Sequence, residues 1–519
     1  MKEGFRQSMA WLHTWAGLVV GWLLFAIFAT GSSAYFQSEI TRWMMPEVAA
    51  PPPDRDAAVQ NAIIWLGRNA AGAGDWSISP ASKRDAAATL YWQPPAGAPA
   101  AARTSARLDG QGREVAARAT AGGEFLYRFH FELHYMPWWL GRYLIGIAAM
   151  AMLVAIVSGI VTHKKIFADF FLLRIGKGQR SWLDAHNVTG VLVLPFHLMI
   201  TYTGLVTLAT MYMPWGVTAN FTTPAAFFEA TYPYPEPPAR TGVAAPLAPF
   251  APIAAEARRI WGDRDIGYVR VLTPGDRAQR IIVASSSEDG LSARGTQLTF
   301  DGTTGRLIGR SPPRGAALET ESVMVGLHMG EYARPVLRWL YFLSGLAGTA
   351  MVGSGLVLWT VKRRARLADP ARPHLGFRLV ETLNIGTIAG VPAAIATYFL
   401  ANRLLPLGLA ERGGREVMAF FAAWAAAMLW AAVRPPRRAW VELLATVAAL
   451  FALVPVVSAL TTGRNLAASL VAGDWVFAGF DLVMLALALM FGWAARKTLH
   501  HRARPLPGRR RAALAEATA

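Results

Sequence analysis

Long uncharged stretches alternate along this chain with short, strongly basic ones. A run of about 18 or more mostly apolar residues can cross a hydrocarbon core of roughly 30 Å as a helix. Eight segments are candidates: Trp11–Tyr35, Pro137–Val161, Val188–Met213, Val336–Val361, Leu379–Phe399, Val417–Val433, Trp440–Leu460 and Trp475–Ala495. The sixth is the shortest. Residues 36–133 and 214–327 interrupt the apolar pattern and read as soluble α+β structure. Helical periodicity at Ala57–Arg68 and Pro252–Trp261 precedes strand patterns in each. An Asp-Gly pair between two strands, at Asp109-Gly110 and at Asp301-Gly302, signals a hairpin. Pro51–Pro53 and Pro233–Pro252 read as linkers. The pattern predicts an α-helical polytopic membrane protein of about eight transmembrane helices. Two small α+β domains are inserted between helices 1 and 2 and between helices 3 and 4. The expected order is span one in 1–36, an outside domain in 37–133 and spans two and three in 134–213. A second outside domain in 214–327, span four in 328–365, spans five to eight in 379–496 and a basic tail in 497–519 follow. The first span is too long for the apolar core of a signal peptide and reads as a retained anchor.

The first 365 residues contain a duplication. His13 is followed by Gly17 and by Thr30-Gly31; His186 is followed by Gly190 and by Thr203-Gly204, at the same spacings. Leu133-His134 precedes a span that reaches Ser158-Gly159, and Leu327-His328 one that reaches Ser354-Gly355, with a two-residue offset. Each copy reads span, outside domain, span. Both enter the membrane in the same direction, so the repeat is parallel.

Charge fixes the expected orientation. The chain carries a formal net charge of +18, yet only 16% of its residues are charged and 54% are apolar. The basic residues cluster after every second span. Lys164, Lys165, Arg174, Lys177 and Arg180 follow span two, and Lys362, Arg363, Arg364 and Arg366 follow span four. Arg434, Arg437 and Arg438 follow span six, and Arg496, Lys497, Arg502, Arg504 and Arg509–Arg511 follow span eight. That is the positive-inside pattern with both termini cytoplasmic. It assigns the charge to topology and lipid headgroups rather than to nucleic acid. There is no cysteine, which excludes disulfides, thiolate metal sites and covalent c-type haem attachment.

Six of the ten histidines lie in or beside spans one to four: His13, His134, His163, His186, His197 and His328. A lone interfacial imidazole is often only a polar residue at a helix end. Six gathered at helix ends point to a site, because ionisable groups in a membrane are costly. His13 and His186 lie about one turn inside the cytoplasmic face, and His163 lies at that face. His134 and His328 lie at the outer boundary. His197 comes eleven residues after His186, roughly 16 Å along a helix axis. Two imidazoles reaching a planar macrocycle from opposite faces is the simplest way to hold b-type haem in a helix bundle. A zinc site would show clustered ligands at short spacing, and none occurs. Duplication suggests His13 with His186 for an inner haem and His134 with His328 for an outer one. His163 and His197 break the symmetry. They are left to replace a ligand, bond a propionate or relay protons, with His197 the alternative second ligand of the outer haem.

The ordered motifs are Arg6–Leu18 (RQSMAWLHTWAGL), Phe129–His134 (FHFELH), Ser158–Lys165 (SGIVTHKK), Asp184–Gly190 (DAHNVTG), Leu194–Leu205 (LPFHLMITYTGL) and Leu327–Gly330 (LHMG). Together they resemble the PepSY-associated transmembrane helix family, over roughly residues 5–365. The resemblance implies PepSY-like domains in the periplasm and a place in the bacterial inner membrane. Some members are haem-containing ferric-siderophore reductases. It therefore implies electron transfer to a ferric siderophore or another ferric chelate. No G-x-G-x-x-G after a strand and no P-loop is present, so the expected donor is a membrane quinol or a partner reductase. A regulatory or binding protein, and an iron-chelate transporter using spans five to eight, stand as alternatives.

Overall fold

The computed structural model describes residues 4–48, 54–82, 84–95, 97, 99, 103–163, 173, 174, 176–232, 235–262 and 264–501. Lys164, Lys165, the Pro51–Pro53 linker, Pro233 and the tail arginines Arg502, Arg504 and Arg509–Arg511 lie outside the described residues.

The first copy of the duplication runs α1 (Phe5–Ala34), α2 (Gln37–Met44), α3 (Arg55–Asn69), β1 (Asp75–Ser79), β2 (Ala88–Trp92), β3 (Ser105–Leu108), α4 (Gly122–Glu132) and α5 (Trp138–Thr162). The second opens with α6 (Gln179–Leu192), α7 (Leu194–Thr207) and three short helices, α8 (Ala209–Tyr212), α9 (Trp215–Asn220) and α10 (Pro224–Thr231). It continues with α11 (Phe250–Trp261), β4 (Ile266–Leu272), β5 (Arg280–Ser285), β6 (Gln297–Asp301), β7 (Leu307–Arg310), α12 (Ala316–Met329) and α13 (Pro335–Arg364). Then come α14 (Leu375–Ile388), α15 (Gly390–Leu404), α16 (Arg412–Val433), α17 (Pro436–Thr462), α18 (Leu466–Val471) and α19 (Trp475–His500).

Among the described residues, seven helical segments are long and apolar enough to cross a membrane. They are α1, α5, α13, α14 with α15, α16, α17 and α19. An eighth crossing is added if α6 and α7 count as one span. These two meet at a bend of 68°, where a single continuous helix was expected over Val188–Met213. Pro195 accounts for the break. It has no N–H to give the carbonyl of Val191, and its ring clashes with that carbonyl.

The outside segments correct a second expectation. They do not form two separate domains. Their strands lie in one antiparallel seven-stranded sheet, ordered β3-β2-β1-β4-β5-β6-β7. The seam is β1 against β4, with Trp76 opposite Val271 and Ile78 opposite Val269. One hydrophobic core is shared: Val59, Leu66, Trp76 and Leu90 from the first segment pack with Phe250, Ile253, Val269 and Phe300 from the second. The helices α3 and α11 are joined by Arg258 to Asp56 at 2.6 Å and by the Phe250 N–H donating to Gln60 Oε1 at 2.8 Å. The seam joins three strands of the first segment to four of the second and removes an exposed edge from each half. The expected hairpin turns form: Gly112 N–H donates to Asp109 O at 3.0 Å, and Gly305 N–H to Asp301 O at 2.9 Å.

The described residues fall into two compact units, divided near Pro373, with 406–414 belonging to the first. The second unit, α14 to α19 apart from the start of α16, buries its own polar cluster. Asn402 Nδ2 donates to Glu416 Oε1 at 2.8 Å, and Arg403 donates to Asn402 Oδ1 at 2.5 Å and to Ser458 Oγ at 3.2 Å. Charges buried in a helix bundle persist only when paired in this way.

Candidate functional site

Within the first unit, His13 of α1 and His186 of α6 face one another with ring centroids 6.0 Å apart. Each ring is held by the neighbouring span of its own repeat. His13 Nδ1 bonds the Ala155 carbonyl of α5 at 2.8 Å. His186 Nδ1 bonds the Met351 carbonyl of α13 at 2.8 Å. A carbonyl only accepts, so Nδ1 carries the proton and Nε2 keeps its lone pair. Both rings lie over a glycine four residues beyond that carbonyl. A Cβ on Gly159 would come within 3.1 Å of His13, and one on Gly355 within 3.1 Å of His186. Arg6, donating to Thr162 O at 2.7 Å, and Arg363, stacked over Trp15, mark this end of the bundle as its basic end.

The second facing pair is His130 of α4 and His328 of α12, with stacked rings 6.1 Å apart. Its construction repeats the first. His130 Nδ1 bonds the Ile27 carbonyl of α1 at 2.9 Å, and its ring lies where a Cβ on Gly31 would come within 2.5 Å. His328 Nδ1 lies 3.2 Å from Thr203 Oγ1, and its ring 2.8 Å from a Cβ on Gly204. Thr203 donates to the Met199 carbonyl at 2.7 Å, so its oxygen accepts from the imidazole. Both rings line a cavity of about 570 Å³. Leu24, Phe28, Met152 and Phe196 form its apolar lining, and Arg84, Arg142, Ser287 and Glu288 are polar lining residues. Glu288, outside the spans, has its carboxyl pushed up by burial, against the pull of Arg84.

The other expected ligands are placed differently. His134 is exposed and does not meet His328. Its ring packs edge-on against Phe125, at 5.7 Å, and against Tyr135, at 4.4 Å. The cause is the chain reversal between α4 and α5, where Leu133 and Tyr135 adopt positive φ of 59° and 55°. His163 caps α5, and its Nε2 lies 2.8 Å from Asn187 Nδ2, beside His186. That nitrogen is engaged by the Asn187 side chain. His197 is 1% exposed and neither ring nitrogen makes a hydrogen bond of good geometry. A buried polar group left unpaired costs on the order of 1–3 kcal/mol.

The model of the PepSY-associated TM region matches residues 10–362. The chain belongs to that family. An uncharacterized protein of Pseudomonas aeruginosa is 30% identical over 321 residues, covering 57% of this chain and 76% of the relative. The family region ends with α13 and takes in all four facing histidines, both outside segments and the glycines beneath the rings.

In this PepSY-associated chain, sequence reasoning missed His130. The available signal was the glycine spacing, since every facing histidine rests on a Thr-Gly or Ser-Gly pair of its own repeat. No group of three or more His, Cys, Asp or Glu able to hold a metal ion occurs among the described residues. What the fold offers instead is two pairs of imidazoles with fixed tautomers. Each pair presents Nε2 atoms that no hydrogen bond engages.

Proposed function

We propose that this protein is a di-haem membrane electron carrier. It would pass electrons from the cytoplasmic side of the bacterial inner membrane to a ferric siderophore or other ferric chelate in the periplasm. The observation that carries the reading is the fourfold seat: imidazole over glycine, Nδ1 fixed by a neighbouring oxygen, and a second imidazole with its ring centroid about 6 Å away. Each pair, with ring centroids 6.0 and 6.1 Å apart, would offer two neutral imidazoles to a haem iron, which takes such donors. The tautomer-fixing oxygens are the outer-shell partners that ligating histidines require. A cavity of about 570 Å³ beside the outer pair has the size of a small-molecule or cofactor site.

In this reading His13 and His186 hold the inner haem, and His130 and His328 the outer one. Bound haem iron supplies reversible one-electron chemistry in a bilayer that water and free ions do not enter. The glycines Gly31, Gly159, Gly204 and Gly355 clear the space in which the rings stand. The basic residues at the His13 end support a cytoplasmic side for that pair, where a quinol or partner reductase would donate. On that orientation the outer pair, which shares its cavity with Arg55, Ile266 and Glu288 of the outside segments, would face the periplasm. A ferric chelate reduced there loses its iron, since ferrous iron binds hard oxygen ligands less tightly. The test is a pyridine haemochrome assay on protein from haem-replete cells. Two extractable b-type haems per chain are expected, and a colourless protein would defeat the reading.

A further inference from the structure

His197 stands in the same kind of seat as the four facing histidines, yet without a partner. Its ring lies over Gly348 of α13, 3.1 Å from where a Cβ would stand. The carbonyl four residues earlier, Ser344, faces the ring, as does that of Gly190 from α6. Phe28 and Phe196 close round it edge-on, with centroids at 5.9 and 6.1 Å. Along the chain it lies seven residues after Gly190, in the inner layer, and seven before Gly204, in the outer one. The first repeat has Leu24 at the corresponding place, eleven residues after His13. The second copy therefore carries an imidazole that the duplication does not explain.

Both polar groups that face this ring are acceptors. A neutral imidazole has one N–H to offer them, whereas an imidazolium has two. Resting on the electron-transfer reading above, we propose that His197 is a proton acceptor set between the two haem sites. It takes one proton from solvent as one electron converts a neighbouring ferric haem to ferrous, so the buried charge is unchanged. The proton is shared with the carbonyls of Ser344 and Gly190. The titratable group that acts on it is His186 of α6. The other charged or titratable groups are Tyr202 on its own helix and, on neighbouring helices, Arg6 and His13 on α1, Arg142 and Tyr143 on α5, and Arg180 and Asp184 on α6. On α12 they are Glu319, Glu321 and His328, and on α13 Arg338, Tyr341, Lys362, Arg363 and Arg364, of which Tyr341 packs edge-on against Phe196 at 5.6 Å. None of these is the ring's hydrogen-bond partner.

The experiment is a redox titration of the haem-loaded full chain, read from the haem absorbance bands between about pH 6 and about pH 9. One midpoint potential should fall as pH rises. The limit is about 59 mV for each tenfold drop in proton activity, one proton per electron. His197→Leu, which installs the residue of the first repeat, should flatten that line and keep both low-spin spectra. His197→Asn, close to histidine in size, should do the same and guards against a packing failure. A slope that persists in both variants overturns the proposal. So does loss of one low-spin haem in both, which would make His197 a ligand. Two haems with pH-independent potentials in the unaltered protein overturn this inference alone. Absence of haem overturns the electron-transfer reading with it.

Discussion

His13 and His186 project from the membrane-spanning helices α1 and α6, whereas His130 and His328 come from α4 and α12, which precede the spans α5 and α13. The seats cross over. α5 and α13 carry the glycines beneath the inner rings; α1 and α7 carry those beneath the outer rings. Every ring rests on a glycine of its own repeat. Each copy of the duplication therefore builds half of an inner and half of an outer site, and a pair forms only where the two copies face each other. The layers differ in tightness. The outer rings stand 2.5 and 2.8 Å from a Cβ placed on their glycines, and the inner rings 3.1 Å. They differ in surroundings too, because the outer pair lines a cavity and the inner pair lies at a basic helix end.

The largest expected effects come from the rings themselves. His13→Ala or His186→Ala should remove the inner low-spin haem and leave the outer, halving the haem per chain. His130→Ala or His328→Ala should do the converse, while His134→Ala leaves both spectra in place. If His134→Ala removes a haem and His130→Ala does not, the outer pairing described above is wrong. Next come the seats. An added Cβ displaces a packed ring at a cost of about 1–3 kcal/mol. Gly31→Ala and Gly204→Ala should therefore deplete the outer haem on purification. Gly159→Ala and Gly355→Ala should only shift the inner haem's potential, which an optical titration would reveal. Equal losses in both layers would remove the difference in tightness.

A smaller effect tests access. Ser287→Trp narrows the cavity that the outer pair lines. Stopped-flow reoxidation of the reduced protein by a ferric chelate should slow by roughly an order of magnitude with both absorption spectra unchanged. The smallest effect lies outside both pairs. The N–H groups of Ala278, Thr241 and Gly242, with the Thr241 hydroxyl, hold the Asp276 carboxyl down to about 2. A depressed carboxyl stabilises the fold above its unfolded value of about 3.9, and that contribution is lost as pH falls from there to about 2. Asp276→Asn should weaken the acid sensitivity of the sheet, followed by circular dichroism, and leave the haem spectra untouched.

Much of this was legible in the chain. Apolar length and the basic clusters marked the spans, and the Thr-Gly and Ser-Gly pairs revealed the duplication before their use was visible. The ring that faces His328 was not legible. Gly159 lies 29 residues after His130 and 25 after His134, while Gly355 lies 27 after His328. Sequence offset is equally poor for both candidates. The positive φ at Leu133 and Tyr135 marks the chain reversal that leaves His134 exposed, while His130 faces His328. The break at Pro195 carried a signal in the proline, but an apolar run reads through it, because hydropathy measures length and not hydrogen bonding.

By itself, then, the sequence determined that the chain is a helical membrane protein of several crossings, that its first 365 residues are doubled, and which residue types stand at helix ends. Those are local properties, set by side-chain transfer and helix rise. Only the tertiary structure decided that the two outside segments share one sheet and that His130 faces His328. It also left His197 alone between the layers. Each of these depends on how the first copy meets the second, and a pattern read along one copy holds no information about the face it turns to the other.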